Sequence, residues 1–90
     1  MLKIVASSRF KKDLRIAAKR NLDLSQLHAV VNTLAAEMPL DRQYHDHELT
    51  GSYAGFRECH IQPDWLLVYR IEKNELELFL FRTGTHSDLF

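Results

Sequence analysis

His60, Asp64 and His86 are the residues of this chain whose types and positions best suit proton transfer. His60 and Asp64 flank a turn in "HIQPDW", so a tight hairpin would hold them close. An imidazole and a carboxylate at neighbouring strand ends can work as acid and base, the carboxylate orienting the ring or moving protons itself. His86 falls in the closing stretch "RTGTHSDLF", where Arg82, two threonines, a flexible glycine and Phe90 accompany it. Arg82 can fork onto a phosphate. Phe90, and Trp65 if it points outward, can stack on a base. Such a set suits cleavage of a phosphodiester without a metal: one group deprotonates the ribose 2′-OH, a cation stabilises the crowded phosphorane, and another group protonates the leaving 5′-oxygen.

The remaining candidates have plainer readings. His28 lies on a helical segment with no acidic or metal-binding neighbour in register and reads as a surface residue. His45, Asp46 and His47 in "YHDHEL" have the look of a metal-binding tract, but no CxxC or HExxH spacing accompanies them. The tract therefore reads as a polar loop, and neither metal nor cofactor is expected. Cys59 alternates away from His60 along a strand and reads as core packing, not as a nucleophile.

The elements that must position these groups follow from periodicity. "LKIVA" is β-prone and short. Ser7 or Ser8 can cap a helix beginning near Arg9, in which Phe10, Leu14 and Ala17 or Ala18 recur at helical spacing. Asp23 followed by Gln26 suggests a capping box for a second helix. That helix carries Leu24, Leu27, Val30, Val31, Leu34 and Met38 on one stripe until Pro39 stops it. After an irregular stretch from Pro39 to Gly55 come three β-like runs, "FRECHI", "WLLVYRI" and "ELELFLF", joined by "QPD" and "EKN". The order β-α-α-β-β-β predicts a single α+β domain over residues 1–90, a helical hairpin packed on an antiparallel sheet, with or without a short final strand.

Composition limits the class of protein. Apolar residues form 46% of the chain and charged ones 27%, the balance of an ordinary globular protein. No apolar run approaches the roughly 20 residues that span a bilayer, and Lys3, Arg9, Lys11 and Lys12 interrupt any signal-peptide core. A lone cysteine suits a reducing compartment, so the expectation is cytoplasmic. Net charge is zero, yet residues 1–20 hold seven Lys and Arg against Asp13 alone. A basic segment of that density attracts phosphate backbones or an acidic partner, or simply solvates one helix face.

The run "HDHELTGSYAGFRECHIQPDWLLVYRI", followed by "FRTGTHSDLF", resembles the YafQ branch of the RelE superfamily of bacterial type II toxins. The likeness covers nearly the whole chain and is most specific in "DH-L-G", "H--PDW-L-Y" and "RTGTH--LF". It implies a RelE-like fold and a ribosome-dependent mRNA interferase that cuts the codon in the decoding site by 2′-OH attack, leaving a cyclic phosphate. By the matching motifs, His47, His60, Asp64 and His86 look like the catalytic group. Trp65 and Phe90 look like aromatic contacts to RNA, and Arg82 like a phosphate ligand. The basic hairpin (Arg9, Lys11, Lys12, Arg15, Lys19 and Arg20) would face ribosomal RNA. Where the family carries aspartate two residues before the strand histidine, this chain has Glu58, which keeps the charge with a longer reach and reads as a support residue. The resemblance also implies a cognate antitoxin, two copies of each chain, with operator DNA contacted through the antitoxin. The runner-up is a non-cleaving inhibitor of the same fold, such as the gyrase-directed toxins, which lack this histidine set.

Overall fold

In the computed structural model, which describes residues 1–90, the N-terminal segment forms strand β1 (Lys3–Ala6) and runs straight into helix α1 (Ser8–Lys19). Ser7 is the cap: its Oγ accepts from the Phe10 backbone N–H at 2.9 Å and donates to the Phe81 carbonyl at 2.7 Å. One hydroxyl thus both starts the helix and ties it to the sheet. Asn21, in the left-handed region with φ 60°, ends it, with Leu22 N–H returning to Ala17 O at 3.1 Å.

Helix α2 (Leu24–Ala35) follows after four residues, capped by Asp23, whose Oδ1 accepts from Ser25 N at 3.0 Å. The reciprocal half of the expected capping box is not made, because Gln26 turns outward and accepts from Gln62 at 2.9 Å. The helix also ends earlier than its apolar stripe suggests. Glu37 adopts φ 59°, Met38 N–H returns to Thr33 O at 3.1 Å, and Met38 is left exposed. This local cap, not Pro39, is the stop.

The other strands are β2 (His47–Glu48), β3 (Arg57–Gln62), β4 (Trp65–Glu72) and β5 (Glu77–Gly84), in the order β1-β5-β4-β3-β2. Pairing is antiparallel except at one edge, where β1 lies parallel to β5, so the sheet is mixed rather than purely antiparallel. The chain can run parallel there because α1, α2 and everything up to β4 serve as the crossover between the two strands. Where the sequence leaves a short final strand open, a four-residue helix follows β5, α3 (His86–Leu89).

Strand β4 is central and buried on both faces, which is why "WLLVY" reads as a continuous apolar run. Trp65, Leu67 and Tyr69 meet Phe10, Ala17, Leu27, Val30, Val31 and Leu34 of the helices, whereas Leu66 and Val68 face Leu89 and the side chains of Leu49, Tyr53, Phe56 and Phe81. The helical pair thus covers one face, and the tail with the Leu49–Phe56 segment covers the other. No helix is long and apolar enough to cross a membrane.

Candidate functional site

Register sets the first part of the site. On β3, Cys59 and Ile61 point into the main core, so Glu58 and His60 point to the opposite face. His47 on β2 pairs directly with Glu58, and this cross-strand neighbourhood brings their side chains together. Glu58 Oε1 lies 3.3 Å from His47 Nε2 and 3.3 Å from His60 Nε2. The carboxylate is 4% exposed and is held between two imidazoles. Their other nitrogens also face acceptors: His60 Nδ1 lies 3.3 Å from the Pro63 carbonyl and His47 Nδ1 3.2 Å from the Glu48 carbonyl.

A carbonyl cannot donate, so each Nδ1 must carry the proton to bond there. Each Nε2 then meets a carboxylate oxygen with a lone pair unless a cation lies between them. With the rings so oriented, the triad can take a cation, a proton or a metal ion, between the carboxylate and the imidazoles. Its three ligand atoms lie within 4.8 Å of one another, with backbone carbonyls orienting both rings as metal-ligating histidines require. The tract "HDH" had pointed to a different set. Asp46 is turned away, accepting from Tyr69 Oη at 2.6 Å and Arg57 Nε at 3.3 Å. Glu58, read only as support, is the residue around which both histidines are arranged.

The second part is made by the tail. Thr85 caps α3, accepting from Asp88 N at 3.1 Å, while Asp88 Oδ2 accepts from Thr85 N at 2.9 Å. This reciprocal box is legible in the sequence as T-x-x-D. Gly84 is needed beside it, because a Cβ there would come within 2.8 Å of Asp88 Oδ2. Helix α3 presents both the backbone N–H and Nδ1 of His86 to Asp64 Oδ1, at 3.0 and 2.9 Å. The hairpin thus delivers Asp64 to His86, not to His60 as the turn alone implied. The His86 and His60 rings are 5.7 Å apart between centroids. The bond from the His86 backbone N–H, helped by its ring, holds the Asp64 carboxyl below the usual carboxylate range. Phe90 is 57% exposed, edge-on to Tyr53 and 6.5 Å from the His86 ring.

Two expected RNA contacts lie elsewhere. Trp65 is 2% exposed, with Nε1 donating to Thr83 Oγ1 at 3.0 Å. It is a core residue with no face left for a base. Arg82 reaches back to α1, donating from Nε to Asp13 Oδ2 at 2.8 Å and from its amino group to Oδ1 at 3.2 Å. Asp13 Oδ2 also accepts from Thr83 N at 3.1 Å. The fork expected to hold phosphate is thus filled by a carboxylate, which also raises the Arg82 proton affinity. The β4–β5 register shift at Val68–Tyr69, which gives the Leu80–Arg82 segment one extra residue, accompanies this junction.

The basic residues of α1 and its C-cap Arg20 are all exposed and fall into two groups. Arg9, Lys12 and Arg20 border a groove that also reaches Asp64 and Thr85, whereas Lys11, Arg15 and Lys19 lie outside it. Arg20 is partnered by Asp88 at 2.7 Å; the other five make no ion pair. Cys59 is fully buried, and burial, then the charges of Asp46 and Glu58, push its thiol up to about 12, so it stays an inert packing group.

Residues 2–90 match the family described as the bacterial toxin of type II toxin–antitoxin systems, YafQ. The mRNA interferase toxin YafQ of Escherichia coli K12 is 39% identical over 85 residues, covering 93% of this chain and 90% of that protein. Among solved structures, a metal-bound toxin from Helicobacter pylori is 53% identical with TM-score 0.95, and each chain is covered in full. The YafQ chain of the E. coli DinJ–YafQ complex is 37% identical with TM-score 0.90, over 100% of this chain and 99% of that one. With its mixed five-stranded sheet and the match running along almost its whole length, this chain belongs to the YafQ family of type II toxins.

Proposed function

We propose that this protein is an endoribonuclease that cuts mRNA in the decoding site of the ribosome, with the imidazoles of His86 and His60 moving the protons. The observation that carries the reading is the Asp64–His86 pair. Asp64 takes the Nδ1–H, so Nε2 of His86 carries the lone pair and stands free on an exposed ring beside His60. His86 Nε2 removes the 2′-OH proton, the 2′-oxygen attacks phosphorus, and the bond to the 5′-oxygen breaks. His60, whose two nitrogens both face acceptors, supplies the proton to that oxygen. The products are a 2′,3′-cyclic phosphate and a free 5′-OH. Asp64, held ionised by its hydrogen bonds, is too weak a base for the first step and instead fixes the tautomer of His86. His47 and Glu58 hold His60 and its charge in place.

Phe90 stacks on a base beside the cut. Arg9, Lys11, Lys12, Arg15, Lys19 and Arg20 supply sequence-independent attraction to ribosomal RNA. With the His86 imidazole exposed, the site leaves orientation of the 2′-OH to the ribosome, so free RNA is a poor substrate. As the E. coli relative is held by DinJ, we expect a cognate antitoxin to neutralise this chain, with two copies of each in the complex. The decisive experiment is primer extension on a defined mRNA with and without programmed 70S ribosomes, for wild type and His86→Ala. Ribosome-dependent cuts in the decoding-site codon, lost in the variant, are expected. Absence of cutting by folded, antitoxin-free protein favours the non-cleaving inhibitor.

A second reading attaches to the same triad, because its donor set fits a borderline divalent metal and the H. pylori relative is described as metal-bound. A metal held by His47, Glu58 and His60 would occupy the His60 Nε2 that acid–base catalysis needs. Added zinc should then suppress cutting, and a transition-metal chelator that spares the ribosome's magnesium should restore it. Cutting that requires such a metal overturns the metal-independent mechanism.

A further inference from the structure

Two grooves meet at the Gln62–Pro63 turn, and their chemistry differs. The first, already described, carries arginine, lysine and aspartate. The second, of roughly 1200 Å³, lies between α2 and the segment that leads into β2, and is lined by Ser25, Gln26, Gln43, Tyr44, His45 and Gln62. It opens onto His47 and His60. No Lys, Arg, Asp or Glu contributes to it. With no Lys or Arg, such a lining offers a phosphate only its imidazoles and neutral donors, whereas a flat, uncharged group with donors and acceptors along its edge is matched throughout.

We infer that this neutral groove is a nucleobase subsite: it receives a base of the mRNA next to the scissile phosphate, with Gln26 and Gln62 reading its edge. The inference rests on the mRNA-cutting reading above. Gln62 Nε2 donates to Gln26 Oε1 at 2.9 Å, which leaves both N–H donors of Gln26 and a donor and an acceptor of Gln62 for a ligand. A side-chain amide offers a donor beside an acceptor, the pattern that engages a base edge bidentately. Their mutual bond already restricts both long side chains, so less rotamer freedom is lost on binding.

Planar surfaces stand alongside. His45 is fixed by a left-handed backbone (φ 47°) and lies edge-on to His60 with centroids 5.6 Å apart. Tyr44 is its half-buried neighbour. Single-stranded RNA is commonly read in this way, by stacking an unpaired base on an aromatic side chain while polar groups take its edge. Because the groove and the acid–base pair share His60, the base it holds adjoins the bond being broken.

The test is ribosome-programmed primer extension over messages that place every codon in the decoding site, for wild type, Gln26→Ala, Gln62→Ala and Gln62→Glu. All three substitutions sit at the surface and outside the acid–base machinery, and thermal melts confirm that the variants fold. The alanine variants should shrink the ratio between best- and worst-cut codons about tenfold. Gln62→Glu, which exchanges an N–H donor for an acceptor, should reorder the codons. A codon ranking identical to wild type in all three, whether at full or uniformly reduced rate, overturns the subsite while leaving the nuclease reading intact. Wild type that fails to cut on the ribosome overturns both.

Discussion

The junction between α1 and the end of β5 and the histidine cluster beside the tail are both built from hydrogen-bonded polar side chains around carboxylates, with opposite outcomes. At the junction Asp13, Arg82, Thr83 and Trp65 satisfy one another: Asp13 takes three hydrogen bonds, and Thr83 Oγ1 accepts from Trp65 while donating to the Leu66 carbonyl at 2.6 Å. What is left over is only the remaining N–H donors of Arg82, on a side chain that is 12% exposed. In the cluster, His86 keeps a free nitrogen, and the His47–Glu58–His60 triad can still take a cation. Arg82, Trp65 and His86 stand in the same two motifs, yet of the three only His86 presents an exposed ring with an unpartnered nitrogen. A motif fixes which residues recur together; the count of satisfied donors and acceptors separates those that hold the scaffold from those that can act on a substrate.

The sharpest way to break that comparison is to remove one member from each side. His86→Ala should lower ribosome-dependent cutting by about 10²- to 10⁴-fold, the usual contribution of a positioned acid–base group, with an unchanged melting curve. Asp13→Ala should do the reverse. It strands a guanidinium whose side chain is 12% exposed, and loss of one partner of a buried pair costs about 3–5 kcal/mol. Denaturant melts should record that loss, and activity should fall only as far as the folded fraction does. A stable Asp13→Ala protein with lost cutting would move Arg82 to the catalytic side.

The two aromatic motif residues divide the same way, with smaller effects. Phe90→Ala should weaken the ribosome-bound RNA interaction by about 1–3 kcal/mol, the value of one base–aromatic stack, and Phe90→Tyr should restore it. Activity titrated against ribosome concentration reads this out. Trp65→Phe removes the Nε1–H and shrinks the bicyclic ring to a single one. About 2–3 kcal/mol of stability should be lost, from the hydrogen bond and the void together, with cutting by the folded protein unchanged. A Trp65→Phe enzyme that folds well but cuts poorly would return the ring to the RNA site.

Element types were legible because their signals are local. Ser7 and Asp23 cap the helices as expected, and "WLLVY" shows its two-sided burial as an unbroken apolar run. Much of what the sequence left open is contact between distant segments. Nothing local in "KKDLRIA" says that Asp13 will meet Arg82, which is 69 positions away. The parallel seating of β1 on β5 depends on the same crossover. Glu58 was undervalued because its importance comes from pairing with His47 across two strands, and β2 is only two residues long. Strand β5 extends through Gly84, past the apolar run that marked it, because Thr83 is buried by hydrogen bonds to Trp65, Leu66 and Asp13 rather than by hydrophobicity.

The smallest expected effect lies between the two regions, where Arg20 at the C-cap of α1 grips Asp88 of α3 at 2.7 and 3.3 Å. Arg20, followed by the Thr85 backbone N–H, holds the Asp88 carboxyl well below the usual carboxylate range. A carboxyl depressed on folding stabilises the native state above its unfolded pKa of about 3.9, and that contribution disappears as pH falls through the folded value. Exposure and salt screening keep the pair weak. Asp88→Asn should therefore lower the melting temperature slightly at pH 7, and the gap to wild type should close as pH drops below about 4. Added salt should narrow it at neutral pH. Because Asp88 also caps the helix that carries His86, part of the deficit should survive in high salt, where the ion pair is screened and the hydrogen bond to Thr85 is not. A gap that vanishes entirely in salt would mean that charge alone links α1 to the tail. One that ignores salt would mean that the cap alone holds His86 in register with Asp64.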